Sequence, residues 1–487
     1  MKNGRGAFLG IDLGTTNIKA LIVDDDGGIL SSGASPVGID YSADGAAEQD
    51  LEEIWQATLA ALKQAAASRA AERVRAIGVS SQGGALQVLD QDGRPSGRVI
   101  GWQDSRGDPW SREISSRLGA AWFTLHTSST YGRSACGQIL RLRERGMLPR
   151  GFRLGWVGDL IVQRLCGRRA HEATSLSEGG LYNPRTGTAD ADLLALLEIE
   201  ECQLPDLIPV HESAGSLLPD VARSLGLPSH LPVGPAVHDQ YAAATGCGAV
   251  RGGDTMLGTG TAWVLLAMSA ALQLPIADAG QVCAHVVPGL YGLLLSMTNG
   301  GSCISWALRT LQIGNRGVAE VDALMAGVAP GCDGLRFRPL LSENGAHGLP
   351  PGMAGRIDGL RLGHMPGHII RALVEGLACE LGRYVRLMAE GGVGVGRLVM
   401  CGKAAASIVT PGIIADTTGL PVDCVTVPET SSLGAAVLAR GLMEPDAGLA
   451  KLADAMKPPL RRVAPGPGTA EARARLEEYI SSLGGRT

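Results

Sequence analysis

The sequence predicts an α/β protein built from two similar domains that share one ligand cleft. One observation is alternation. Strand-length apolar segments such as Ala7 to Ile11, Ile18 to Val23, Val74 to Ser80 and Arg397 to Cys401 alternate with helix-period segments. A second is an internal echo: Leu13-Gly14-Thr15-Thr16 returns as Leu257-Gly258-Thr259-Gly260, each leading into an apolar strand near the start of one half. The third is size and composition: 487 residues, 45% hydrophobic and 19% charged, suffice for more than one core.

Charge and composition exclude several classes of partner. A net charge of -5 leaves no basic footprint for nucleic acid and no polybasic patch for a membrane. No uncharged apolar run reaches the length of a membrane span. The 10 cysteines are scattered, with no Cys-x-x-Cys and no zinc spacing, which reads as reduced thiols in a cytoplasm. Asp12 interrupts the first apolar run too early for a signal peptide. A soluble cytoplasmic protein is expected.

Taken in order, the chain opens with a hairpin, Ala7 to Ile11 and Ile18 to Val23, followed by the turn signal Asp24-Asp25-Asp26-Gly27-Gly28 and another strand near Ile29. Asp50 caps a helix expected to run to about Glu72, with Leu51, Ile54, Trp55, Leu59 and Leu62 on one face. A buried strand, Val74 to Ser80, ends in Ser81-Gln82-Gly83-Gly84, and Leu86 to Leu89 is a further strand. Helices with polar loops dominate from Trp110 to Pro232. A strand then carries the chain to Asp239. The turn-rich Gly246 to Asp254 stretch is the expected boundary between a domain over 1–248 and one over 249–456. In the second half, Pro366 to Glu390 is a long amphipathic helix, Arg397 to Cys401 a strand and Pro411 to Thr418 a helix. Lys457 to Gly468 reads as a Pro-rich link and Thr469 to Leu483 as a terminal helix, together a tail over 457–487.

Two kinds of chemistry stand out. Asp239, at the end of an apolar segment, can accept a hydroxyl proton, or can simply cap the small-residue helix behind it. The loops at Gly14-Thr15-Thr16 and Gly258-Thr259-Gly260 can offer backbone N–H groups and hydroxyls to a phosphate, or can be ordinary turns. Neither is a Walker loop, which needs Gly-x-x-x-x-Gly-Lys-Ser/Thr. Asp12 can hold a hydrated Mg²⁺. Gln82, Trp102 and Asp104 follow strand ends, where α/β sheets place ligands.

Together these stretches resemble the FGGY family of carbohydrate kinases, on the actin/hexokinase-type ribonuclease-H-like fold. The matching pieces are Gly10-Ile11-Asp12-Leu13-Gly14-Thr15-Thr16, Glu48-Gln49-Asp50, Trp102-Gln103-Asp104-Ser105-Arg106, His238-Asp239-Gln240 and Leu257 to Thr261. The most specific is Gly355-Arg356-Ile357-Asp358-Gly359-Leu360, followed by His368-Ile369 and Ala372-Leu373-Val374-Glu375. The resemblance implies two ribonuclease-H-like domains around a central cleft. It makes Asp239 the catalytic base and gives Asp12 and Asp239 to Mg²⁺. It assigns ATP to Gly14, Thr15, Thr16, Lys19, Gly258, Thr259, Gly260, Gly301, Ser305, Gly402, Ala404 and Ser407. Substrate falls to Gln82, Gly83, Trp102, Asp104, Asp239 and Gln240. A small sugar or polyol is the implied partner, with a homodimer as the expected assembly.

Three departures stand against that pattern. Gly83-Gly84 occupies the place of Met-His-Gly in xylulose kinases and of Arg-Glu in glycerol kinases, which predicts added space beside the substrate. Gln138 and Arg141 stand where Lys and Trp are usual. Lys403 replaces the second Gly of the adenine loop, which predicts weakened nucleotide affinity. The function expected is ATP-dependent phosphorylation of a ketose, a pentulose such as xylulose or ribulose. A polyol kinase of the erythritol or glycerol type, and a catalytically poor sugar- or nucleotide-binding switch, are the alternatives.

Overall fold

Every position from Ala7 to Ile11 is apolar or glycine, and in the computed structural model these residues form a central strand buried on both faces, β1 (Ala7–Leu13). The structure describes residues 6–274, 280–342, 348–350 and 352–484. β1 pairs antiparallel with β2 (Asn17–Asp24), which pairs antiparallel with β3 (Ile29–Pro36). On its other side β1 runs parallel to β4 (Val74–Ser81), and β4 runs parallel to β5 (Pro232–His238). The helices that matter here are α1 (Leu51–Ala66), α2 (Ser134–Glu144), α3 (Ala173–Glu178) and α4 (Asp239–Gly246). Asp50 caps α1 by accepting from the Glu52 and Glu53 amides. The helix stops at Ala66, short of the expected Glu72, because Ser68 caps a separate 3-10 turn over Arg69–Arg73.

The second half repeats the plan. β6 (Asp254–Thr259) pairs antiparallel with β7 (Trp263–Ser269), which pairs antiparallel with β8 (Tyr291–Met297). β9 (Arg397–Gly402) then runs parallel to β6, and β10 (Val422–Val425) parallel to β9. The strand order β3-β2-β1-β4-β5 therefore recurs as β8-β7-β6-β9-β10, so the Gly/Thr echo marks a real duplication. Among the helices of this half are α5 (Gly301–Thr310), α6 (Pro366–Glu390), α7 (Thr410–Thr418), α8 (Thr430–Met443) and α9 (Thr469–Ser482). The stretch from Gly355 to Leu360 includes an exposed strand, Arg356–Asp358, paired with Arg336–Arg338 just ahead of α6.

The tail is more integrated than a link. Leu460–Val463 is an edge strand on β10, and α9 buries Leu476, Tyr479 and Ile480, with the Tyr479 hydroxyl donating to Glu380 at 2.8 Å. The Pro residues expected to keep this segment irregular flank the strand and leave its ladder intact.

The halves meet through close helix packing. α8 crosses α4 so tightly that a Cβ on Gly434 would lie 1.8 Å from the Ala242 carbonyl oxygen. It also covers β1, where a Cβ on Gly10 would lie 1.9 Å from the Ser432 carbonyl oxygen. An apolar cluster joining Tyr241 and Ala242 of α4 to Met256, Leu266 and Val399 continues the contact between the sheets. Among the described residues no helix is long and apolar enough to cross a membrane.

Candidate active site

β1, β4 and β5 are parallel neighbours, so their carboxyl ends open at one edge of the sheet. The register sets Asp12 beside Ser80, and Ser81 beside His238. Asp12, Gln82 and Asp239 therefore converge. Ser80 Oγ donates to Asp12 Oδ1 at 2.9 Å. Asp239 is the first residue of α4, with His238 in the cap position and no side-chain cap bond, so the capping reading of Asp239 falls away. Its Oδ1 accepts from Gln240 Nε2 at 3.1 Å and lies 3.2 Å from His238 Nε2.

Burial sets the electrostatics. Loss of solvent, reinforced by the Asp239 charge and opposed by Ser80 and Lys19, pushes Asp12 up to about 7. Lys19 sits directly across the hairpin from Asp12. Burial also raises Asp239, against the pull of His238 and the Gln240 hydrogen bond. Two carboxylates with this mutual repulsion suit a divalent cation, whose charge would relieve it.

The first Gly/Thr loop is tied to the substrate side by a chain of amides. Gln49 Nε2 donates to the Thr15 and Gly38 carbonyls, at 3.0 and 3.1 Å, which fixes its amide orientation. Its oxygen then accepts from Gln82 Nε2 at 2.9 Å. This leaves Gln82 Oε1 buried without a partner. Trp102 is 50% exposed, and its Nε1 donates to Thr15 Oγ1 at 3.1 Å. Thr16 is exposed in the same loop beside the half-buried Gly14.

The second loop approaches from the other half. A Cβ on Gly258 would lie 3.5 Å from Gln240 Oε1, so this loop borders the Asp239 segment. Thr259 Oγ1 donates to the Cys401 carbonyl at 2.6 Å and accepts from the Ala404 amide at 3.1 Å, locking the loop to the turn after β9. The amides of Gly301 and Ser302, opening α5, donate to the Gly260 and Thr261 carbonyls. Ser305, Gly402 and Lys403 are exposed and Ala404 is half-buried.

Some expected ligands are engaged elsewhere. Asp104 is 2% exposed and its carboxylate is saturated: Oδ1 accepts from the Arg106 amide and Gln138 Nε2, Oδ2 from the Ala47 amide and Arg106 Nη2. That use corrects the expectation of a substrate ligand and explains Gln138, which Arg141 Nε holds in place at 2.8 Å. Ser407 donates to Asp322 at 2.5 Å and accepts from the Val409 and Thr410 amides, so its hydroxyl holds the start of α7 and is not offered to a nucleotide. The added space expected at Gly83 is filled: a Cβ there would lie 2.3 Å from Glu178 Cγ and 2.7 Å from His238 Nε2. Ser80, Gln49, His238 and Glu178 join the site without having been singled out as site residues from sequence.

Duplicated sheets, a Gly/Thr loop in each half and a carboxylate pair at the strand ends suit a two-domain ATP-dependent phosphotransferase. The chain belongs to the FGGY family of carbohydrate kinases: residues 7–246 match its N-terminal domain and residues 235–440 its C-terminal domain. It is 30% identical to a glycerol kinase from Rhodospirillum centenum, over 89% of each chain. It is 26% identical to the xylulose kinase of Escherichia coli, over 91% of this chain and 92% of that one. The crystal structure of xylulose kinase from Rhodospirillum rubrum superposes with a TM-score of 0.88 at 27% identity, covering 98% of both chains. The protein is thus an ATP-dependent carbohydrate kinase, a phosphotransferase with an alcohol group as acceptor.

Proposed function

We propose that the enzyme phosphorylates a ketose, a pentulose of the xylulose or ribulose type, with Asp239 as the general base. The observation that carries the base is the asymmetry of the Asp239 carboxylate, and the similarity to xylulose kinases at 26% and 27% identity favours the pentulose. The Gln240 and His238 side chains both address Oδ1, and among the described residues no side chain donates to Oδ2. Oδ2 accepts the proton of the attacking hydroxyl while the hydroxyl oxygen bonds to the γ-phosphorus and the bond to the β-phosphate oxygen breaks. The raised proton affinity of Asp239 suits that task. Gln82 Oε1, buried and unpaired, accepts a second sugar hydroxyl. Trp102 borders the same space from Thr15.

Asp12, with Asp239, would hold Mg²⁺ through water, and the ion would supply positive charge against the transferring phosphoryl group. Gly14, Thr15, Thr16 and Lys19 face the phosphates from one half, and Gly258 and Gly260 from the other. Gly301 at the start of α5, with Ser305, Gly402 and Ala404, lines the nucleotide side. The division into domains at 248/249 falls between α4 and β6, and closure of the halves would exclude water. The free state of all 10 cysteines supports a cytoplasmic setting.

A polyol is the second reading, favoured by the similarity to a glycerol kinase at 30% identity. ADP release across D-xylulose, D-ribulose, erythritol, glycerol and aldoses decides between them. A pentulose with the highest kcat/KM supports the first reading, and a polyol in that place overturns it.

A further inference from the structure

The loop that follows β4 offers no side chain at Gly83, yet the wall of the pocket there is solid. A Cβ on Gly83 would lie 2.3 Å from Glu178 Cγ, and 2.7 Å from His238 Cδ2 and Nε2. Glu178 therefore lies against Gly83 and beside the imidazole that addresses Asp239. The helix that delivers it, α3, is fixed along β5: Thr174 Oγ1 accepts from the His238 amide and Ser175 Oγ donates to the Ala236 carbonyl, each at 3.1 Å. Its last turn is tied to the second half, since Gln281 Nε2 donates to Ser177 Oγ at 2.8 Å.

A cation meets Glu178 from a third element. Arg133, the residue preceding α2, donates from Nη2 to Glu178 Oε1 at 2.5 Å. The two side chains are 17% and 19% exposed. A largely buried ion pair is retained at a net gain only where its remaining donors and acceptors are used. Among the described residues Glu178 Oε2 has no donor, and Arg133 uses its fork on Glu178 and the Tyr131 side chain alone. The pair thus has both a donor and an acceptor left, next to the base.

We propose that Arg133 and Glu178 contact the sugar directly and select a neutral polyhydroxyl substrate against an anionic one. This assignment rests on the kinase site described above. Glu178 accepts from a hydroxyl, and Arg133 donates to a neighbouring hydroxyl or carbonyl oxygen, as adjacent oxygens of a ketose or polyol present them. The guanidinium is already neutralised by Glu178. With Arg133 and Glu178 cancelling each other, a carboxylate in the pocket would meet the carboxylates of Asp12 and Asp239, offset among the described residues by Lys19 and His238. Aldonates such as D-gluconate are disfavoured on that ground.

The test is steady-state kinetics of the full chain with D-xylulose, D-ribulose, glycerol, erythritol and D-gluconate, for wild type, Arg133→Met, Glu178→Gln and Glu178→Asp. The expected result is a KM for the best neutral substrate raised about tenfold or more in each variant, with kcat changed only a few-fold. KM for ATP should be unchanged. In Glu178→Gln, which frees the Arg133 charge, the kcat/KM ratio of D-gluconate to the neutral substrate should rise about tenfold. Nucleotide titration calorimetry identifies folded variants, and Glu178→Asp keeps the charge should the others fail to fold. Sugar KM values within twofold of wild type in folded variants overturn the assignment, as does a wild-type preference for D-gluconate. An active wild type with unmoved variants overturns this assignment alone. A wild type that turns over no compound overturns the proposed function and the assignment together.

Discussion

His238 Nε2 lies 3.2 Å from Oδ1 of Asp239, the residue that follows it in the chain. Gln240 Nε2 reaches the same oxygen at 3.1 Å. The side chains of its two sequence neighbours thus address one oxygen of the proposed base, and the proposal gives the other to the attacking hydroxyl. In Asp239→Asn the side-chain shape is kept and the proton acceptor is lost. Sugar-dependent kcat should fall about 10²-fold or more, with nucleotide affinity held within a few-fold. Turnover near wild type would remove Asp239 from the mechanism.

Asp12 should make the enzyme's stability depend on pH. Its carboxyl is raised from 3.8 to about 7 in the fold, mainly by burial and then by Asp239. The native state therefore binds this proton where the unfolded chain has released it, so stability falls as pH rises through that window. Asp12→Asn removes this part of the slope. The variant should be more stable than wild type at pH 8, by roughly 1 kcal/mol or more, and nearly equal to it near pH 4. It should also lose Mg²⁺-dependent activity. Thermal unfolding of both proteins across pH, without metal, reads this directly. Parallel curves would mean that Asp12 does not carry the shift.

Gly434 and Ala242 set the distance between the halves. A methyl group on Gly434 would sit 1.8 Å from the Ala242 carbonyl oxygen, which is backbone and cannot turn aside. Gly434→Ala should therefore force α8 away from α4 at a cost of about 1–3 kcal/mol. Because α4 begins at Asp239, kcat should fall as well. Chemical denaturation should show a lower midpoint, and an unchanged midpoint would mean that the helices reseat freely.

Thr259 couples the second loop to the turn after β9 through two hydrogen bonds, to the Cys401 carbonyl and from the Ala404 amide. Thr259→Val keeps the shape and loses both, at a cost of about 1–3 kcal/mol. KM for ATP should rise, and Thr259→Ser should restore it. If Val and Ser behave alike, the hydroxyl does not order the nucleotide side.

Backbone-level features were legible in the sequence where one signal dominated. The β1–β2–β3 meander followed from apolar runs and the Asp/Gly turn between β2 and β3, and Pro366–Glu390 from sustained helical periodicity. Asp12, Gln82 and Asp239 were readable because each ends a strand. Asp104 has the same local signature, yet its fate depends on Gln138 and Arg106, and nothing local says that a distant amide will saturate it. Glu178 was invisible for the mirror reason. It is an ordinary polar residue at a helix end, and only the packing of α3 on β5 carries it to Gly83. The edge strand Leu460–Val463 was hidden by flanking prolines, since pairing with β10 is a tertiary choice.

Gly83 and Gly84 carry the last prediction. Their lack of side chains suggested an enlarged pocket, but at Gly83 the space belongs to Glu178 and His238. Even a methyl group must push one of them. Displacing Glu178 alters the substrate wall, and displacing His238 disturbs the Asp239 carboxylate it addresses. Gly83→Ala should therefore raise sugar KM and lower kcat by about tenfold or more together, while overpacking costs about 1–3 kcal/mol of stability. Gly84 obeys a different constraint. Its φ is +73°, and a Cβ would stand 3.3 Å from Trp102 Cβ, so a histidine placed there is strained before it meets any sugar. Grafting the xylulose kinase side chain by Gly84→His should thus lower activity on D-xylulose, by way of backbone strain and a shifted Trp102. Steady-state kinetics with D-xylulose and ATP for the two variants separates the cases. Gly83→Ala with wild-type kinetics would show that Glu178 and His238 yield without consequence. A gain on D-xylulose in Gly84→His would show that the position tolerates a side chain facing the sugar.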